Sequence, residues 1–263
     1  MRLLLLVAVC LGASAHSLPL NLTDLPTSAI IDAQPGTLKQ FPYVVYIEPY
    51  CIGALLSDSH VVTHHSCVRE LRVSSKVYAG VLSVNNLNAP NVQQSEVKTT
   101  AILAQPFDLS TDYAIGIITL KTPFKLNAFV KTAYVVSNDD DFTVPGDNKG
   151  VPVQTVSYGN SDKWYTRLFL KYVNVQIFES KDCSARWSDF DGTWGICTGM
   201  YKTEDYIFPF DEGAPLVTGG NILIGITVYR GEGGLVPGGF HVRLARYCLP
   251  IQNAIGRPIG CSG

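Results

Sequence analysis

Beyond its first dozen residues this sequence has no apolar run near the roughly 18 residues that a membrane-spanning helix needs, so no membrane partner is expected for the mature chain. Charge is thin: Asp, Glu, Lys and Arg make up 16% of the 263 residues, with a formal net charge of −2. An ordinary globular protein carries about 25%. No basic face emerges from that composition, which excludes nucleic acid as an expected partner. Repeats, low-complexity tracts and long linkers are all absent, so arrays and disordered tails are excluded too. Helical periodicity is scarce, convincing only from about Leu244 to Ile255.

What is present is apolar and strand-like. Hydrophobic residues reach 46%, enough to fill one large domain or two small packed ones. Short runs rich in β-branched and aromatic residues recur between Gly, Pro, Asn and Asp clusters. Among them are Tyr43–Ile47, Ala54–Leu56, Lys76–Tyr78, Ala114–Leu120, Val151–Val156, Phe169–Val175 and Asn221–Val228. That pattern indicates an all-β barrel or sandwich.

The amino terminus has the form of a secretory signal over residues 1–15: Met1-Arg2, an apolar core from Leu3 to Leu11, then Ala13-Ser14-Ala15. Removal of Cys10 with it leaves six of seven cysteines, an even set that suggests three disulfides in an extracellular chain. Asn21-Leu-Thr23 is a glycosylation sequon.

Several segments carry a more specific message. They are Ile30-Ile-Asp-Ala33 followed by Gln40-Phe-Pro-Tyr43; Cys51 to Cys67, ending Thr63-His-His-Ser-Cys67; Asp112-Tyr-Ala-Ile115; Phe210-Asp-Glu-Gly-Ala-Pro-Leu-Val217; and Pro237-Gly-Gly-Phe240. In this order and spacing, over about residues 30–260, they resemble the trypsin-like serine proteases. The resemblance implies an all-β fold of two antiparallel six-stranded β-barrels with a C-terminal helix. It divides the chain into a signal peptide (1–15), a short pro-segment (16–29) and a protease-like domain (30–263), with barrels at about 30–130 and 131–263.

It also implies that the chemistry has been removed. Where the family has its histidine, immediately before the second cysteine, this chain has Ser66. Where the family's nucleophile loop reads Gly-Asp-Ser-Gly-Gly-Pro-Leu-Val, Glu212 replaces the serine, and a carboxylate cannot become an alkoxide. Asp112 retains the aspartate position. Without an imidazole to orient, its hydrogen bonds are expected from the Ser66 hydroxyl or from backbone amides, with Glu212 in the same cleft. His64 and His65 are expected as solvated loop histidines. A one-residue slip that brings His65 into the cleft, a zinc site from His60, His64 and His65, and an acid/base pair of Asp112 with Glu212 are alternatives without support from spacing.

Binding positions depart from the family as well. Phe210 stands at the oxyanion-loop glycine, Tyr206 at the base of the specificity pocket, and Val228-Tyr229-Arg230 along the pocket wall, with Gly238 in the closing loop. An occluded cleft follows, either as rings plugging the pocket or as an aromatic protein-binding patch. The pairs Cys51–Cys67 and Cys183–Cys197 match family bridges. Cys248 and Cys261 remain and are paired across the C-terminal helix. Family zymogens are cut after Arg or Lys, but Ala29 precedes Ile30 here, so a trypsin-like activator would not cut this junction. Asp211 keeps the position that pairs with the freed amine, or else bonds locally in an uncut chain.

The expected function is that of a secreted, non-catalytic serine protease homologue, a kind familiar chiefly from arthropods, acting on protein partners such as proteases, inhibitors or cascade components. Neither a cofactor nor a metal is implied. The alternatives are an active endopeptidase with rearranged residues, drawing on His65 and one of Ser57, Ser59 and Ser66, and a storage or matrix protein that kept the fold alone.

Overall fold

The computed structural model describes residues 34–104, 113–138, 152–158, 169–186, 188–199, 212–219, 221–228 and 239–259. In the first half of the chain, β1 (Gln34–Pro35) is followed by β2 (Val44–Ile47), β3 (Cys51–Ser57) and β4 (His60–His64). A one-turn helix, α1 (His65–Arg69), precedes β5 (Lys76–Ala79), β6 (Gln93–Leu103) and β7 (Ile115–Leu120). Strands β2 to β7 close into an antiparallel barrel in the order β2-β3-β4-β7-β6-β5, sealed by the β2–β5 pairing.

The second half contains β8 (Tyr134–Val135), β9 (Pro152–Ser157), β10 (Lys171–Ile177), α2 (Ser180–Arg186), β11 (Gly195–Gly199), β12 (Pro215–Thr218), β13 (Ile222–Val228) and β14 (Gly239–Arg243). Its six main strands run β9-β10-β11-β14-β13-β12, and β12 pairs back onto β9 to close a second barrel. Two short strands attach to that barrel from outside the ring: β1 pairs with β10, and β8 lies parallel to β13. The fold is thus all-β, two closed six-stranded barrels with a short C-terminal helix.

Side-chain alternation explains why the central strands are apolar on both faces. One set of β3, β4 and β7 residues (Leu55, Val61, Ile118, Leu120) fills the first barrel with Val45, Ile47, Val77 and Val97. The alternate set (Ile52, Ala54, Leu56, Val62, Ile115, Ile117) joins one cluster with Val156, Val217, Leu223, Ile226 and Val228 of the second barrel. The interface between barrels is therefore a hydrophobic core in its own right. By contrast, β6 exposes Lys98 through Ala101 in succession. The sequence reading named neither β6 nor the two short helices α1 and α2.

The expected terminal helix is present. A 3-10 turn (Leu244–Tyr247) leads into α3 (Cys248–Ile255), which buries Cys248, Ile251 and Ile255 on one face. Gly256 stops it with a left-handed φ of 69°, its N–H reaching the Gln252 carbonyl. Disulfides join Cys51 to Cys67 and Cys183 to Cys197, and Cys248 is also disulfide-bonded, to a partner outside the described residues.

Candidate functional site

The site forms where the end of β4 meets the segment before β12, at the junction of the barrels. Backbone geometry places it. Strand β4 pairs with β7 up to His64 opposite Ile115, and the chain then turns into α1, which carries His65, Ser66 and Cys67. The Cys51–Cys67 bridge fastens α1 to β3. From the second barrel, the Glu212 carbonyl accepts the Ile52 N–H at 3.2 Å, and Gly213 and Ala214 exchange backbone hydrogen bonds with Thr227.

Gly213 has no substitute at this point. Its φ is +81°, and a Cβ there would lie 2.1 Å from the Ile52 carbonyl oxygen and 2.2 Å from Thr63 Oγ1. Thr63 spends its hydroxyl on that same carbonyl at 2.6 Å. The absence of a side chain at position 213 is what lets the second barrel's loop press against β3 and β4.

This seating delivers the Glu212 carboxylate to two donors of the first barrel. His64 Nδ1 lies 2.7 Å from Glu212 Oε1, and the Ser66 hydroxyl donates to the same oxygen. His64 Nδ1 is also 2.9 Å from Ser66 Oγ. An ionised carboxylate only accepts, so the arrangement is satisfied with Nδ1–H and Oγ–H both donating to Glu212. Burial pushes the Glu212 carboxyl upward, but the hydrogen bond and charge of His64, helped by Ser66 and His65, outweigh it and hold the group below the usual carboxylate range. The His64 and His65 rings meet edge to face, with centroids 4.2 Å apart.

Two expectations are corrected here. His64 and His65 are not solvated: they are 2% and 4% exposed, because the second barrel's loop and the β7 strand cover the end of β4. The imidazole that reaches Glu212 is His64, and not His65 by a slip of register. The Ser66 hydroxyl points to Glu212. His60 lies at the opposite end of β4, hydrogen-bonded to Ser57 at 2.8 Å, so the three histidines do not converge on a metal. Cys51, Cys67 and Glu212 do lie together, yet both sulfurs are spent in a disulfide and offer no thiolate.

Beside Glu212 opens a cavity of about 130 Å³, lined by Glu48, Pro49, Tyr50, Ser66, Glu70 and the Cys51–Cys67 bridge. Tyr78 donates its hydroxyl to Glu48 from behind at 3.1 Å. Val228 ends β13 opposite Phe240 and is buried in the shared core. Asn21, Ala29, Ile30, Asp112, Tyr206, Phe210, Asp211, Tyr229, Arg230, Gly238 and Cys261 lie outside the described residues.

Chemically, the cluster is a poor engine for acyl transfer. The serine proton is directed at a carboxylate that is a weaker base than an ordinary one, and the Gly213 N–H is committed to the Thr227 carbonyl. A period-two reading of His60-Val-Val-Thr-His64 places Thr63 and His64 on opposite faces of a strand, but it carries no sign of what covers the His64 face.

A family model described as Trypsin matches residues 30–249. The chain is also 23% identical over 203 residues to a protein named glucanase inhibitor protein 3, from Phytophthora infestans, an alignment covering 75% of this chain and 74% of that one.

Proposed function

The chain belongs to the trypsin family, and from that membership we propose that it is a non-catalytic member that works by binding another protein. The observation that carries this reading is that the Glu212 carboxylate, which the motif resemblance aligns with the family's nucleophile, is taken up by His64 and Ser66. Family catalysis needs a hydroxyl or thiol that an adjacent base can deprotonate. Loss of the serine alone, in the related case of subtilisin, costs about a million-fold in turnover.

Binding as the surviving role is supported by a relative whose name is that of a glucanase inhibitor. The partner class is a secreted hydrolase, a protease or glycoside hydrolase, or a component that regulates one. Secretion is supported by the signal-like residues 1–15 and by the disulfides. Among the described residues, no helix is long and apolar enough to cross a membrane. Calorimetry of the full mature chain against purified secreted proteases and glucanases, paired with inhibition assays, tests the proposal. Saturable binding to at least one, with loss of that enzyme's activity, is expected. Cleavage of peptide substrates by the chain itself would contradict it.

A second reading, an endopeptidase with rearranged residues, has one observation in its favour: His64 Nδ1 and Ser66 Oγ are 2.9 Å apart. For His64 to act as base, Nδ1 would have to give up its proton and accept from Ser66, which forfeits its hydrogen bond to Glu212. If this reading held, peptide turnover would be measurable and would vanish in Ser66→Ala.

A further inference from the structure

The side chains that meet at Glu212 come from both barrels, and one oxygen holds them. Glu212 belongs to the second barrel's segment, whereas His64 ends β4 and Ser66 lies on α1 of the first. We propose that Glu212, His64 and Ser66 form an acid-labile latch that fastens the two barrels across their junction. This goes beyond the binding role and does not depend on it.

The argument rests on which contacts at the junction need charge. Backbone contacts do not: the Ile52 N–H to the Glu212 carbonyl, the Gly213 N–H to the Thr227 carbonyl and the Thr63 hydroxyl to the Ile52 carbonyl persist at any pH. The side-chain contacts do. Both donors converge on one oxygen, and a protonated carboxyl is a far weaker acceptor for two donors at once. Acid therefore removes one set of ties and spares the other. The expected result is release of the Glu212 side chain and more frequent local opening of its loop, which the backbone contacts alone then hold.

The ionisable neighbours on the described elements do not all act alike once the carboxylate is neutral. The His64 and His65 rings, edge to face beside it, lose a negative neighbour, whereas the nearby carboxylates lose a like charge, which eases repulsion without replacing the two ties. From the turn between β2 and β3, Glu48 lines the same cavity, and so does Glu70 at the end of α1. Tyr78 of β5 is engaged with Glu48. The Cys51–Cys67 bridge tethers α1 to β3, so the opening is confined to the Glu212 segment, one wall of the cavity, and to the end of β4 and the start of α1 that face it. Opening the latch would thus enlarge the cavity beside it.

Hydrogen exchange by mass spectrometry on the intact disulfide-bonded chain tests this, with protection corrected for the intrinsic pH dependence of exchange. Peptides spanning residues 60–70 and 212–218 are the reporters, and β10 of the second barrel, which pairs with β1, β9 and β11, is the reference. In the wild type, protection at the two reporters should fall roughly tenfold between pH 5 and pH 3.5, with the reference unchanged. Glu212→Gln, equal in shape but unable to ionise, should show the lowered protection already at pH 7 and little further change. Three results would overturn the latch. One is flat reporter protection down to pH 3.5. Another is wild-type pH dependence in Glu212→Gln. The third is loss at reporters and reference together, which is global unfolding. If Glu212→Gln does not fold, Ser66→Ala serves in its place, with partial loss at pH 7 expected and wild-type protection there overturning the proposal.

Discussion

His64 and His241 are both buried, at 2% and 0% exposure, and one lies in each barrel. They settle the cost of burial in opposite ways. His64 meets a carboxylate from across the barrel junction, and the pair shares one hydrogen bond at 2.7 Å. His241 has no such partner among the described residues: Thr198 Oγ1 lies 2.8 Å from Nε2 and Thr227 Oγ1 lies 3.1 Å from Nδ1. Burial alone pushes its pKa down to about 3, so it sits as a neutral ring bridging β11, β13 and β14. One histidine is embedded in a charged cluster that ties two barrels. The other is a core residue of a single barrel that happens to be polar. Burial of a histidine therefore says little about function until its partners are known.

The comparison breaks most completely at Gly213. Gly213→Ala would force a Cβ into the Ile52 carbonyl at a left-handed φ, lifting Glu212 away from His64, while His241 would feel it only through Thr227, which is bonded to the Gly213 loop. A loss of about 4 kcal/mol or more in denaturant unfolding is expected. A substitution that proves neutral would mean the loop is not seated as described.

Acid separates the two histidines next. His241 has a folded pKa below its unfolded value, so the unfolded chain takes up the proton first. The stability it contributes is complete above about pH 6.5 and is lost as pH falls toward 3, by several kcal/mol. The depressed Glu212 carboxyl acts lower. Its contribution is complete above the unfolded value of about 4.3 and is lost as pH falls through the folded one. Thermal melts should thus decline between pH 6.5 and 4.5 mainly through His241, with His60, half-buried, adding a smaller slope. His241→Gln should flatten that window, while Glu212→Gln should lower stability evenly across it and remove the further decline below pH 4.5. The reverse assignment would contradict the two environments.

Smaller effects sharpen the contrast. His64→Leu strands a mostly buried carboxylate and should cost about 2–3 kcal/mol at neutral pH, less than a fully buried pair because Glu212 can still reach water. His241→Leu leaves two threonine hydroxyls without their partner and should cost about 1–3 kcal/mol. Both deficits should shrink as pH falls: the first because the stranded Glu212 takes up a proton, the second because the wild type itself loses the contribution of His241 while leucine does not titrate. Melts of both variants from pH 7 to pH 4 check this.

Much of the fold was legible because the strands at the barrel junction bury both faces. Runs such as Ala114–Leu120 and Asn221–Val228 are nearly continuous in apolar residues, and they mark β7 and β13. Strand β6 was not legible, since a barrel wall facing water needs no apolar outer face and its Lys98-Thr-Thr-Ala101 stretch reads as loop. Helices α1 and α2 are too short to show a period. At the site, Ser66 and Glu212 were readable from the register of Cys67 and Pro215 in their motifs. His64 was not, because its burial depends on a segment 148 residues away that no local pattern reveals. Its role is set by Gly213, whose missing side chain admits that segment.

The central claim is that Glu212 and its two donors leave no nucleophile at the barrel junction. An activity probe tests it most directly: the native chain is treated with a fluorophosphonate at neutral pH and searched for a serine adduct by peptide mass spectrometry. The expected result is no adduct on any serine, Ser66 included. A stoichiometric adduct on Ser66 that disappears in His64→Gln would contradict it.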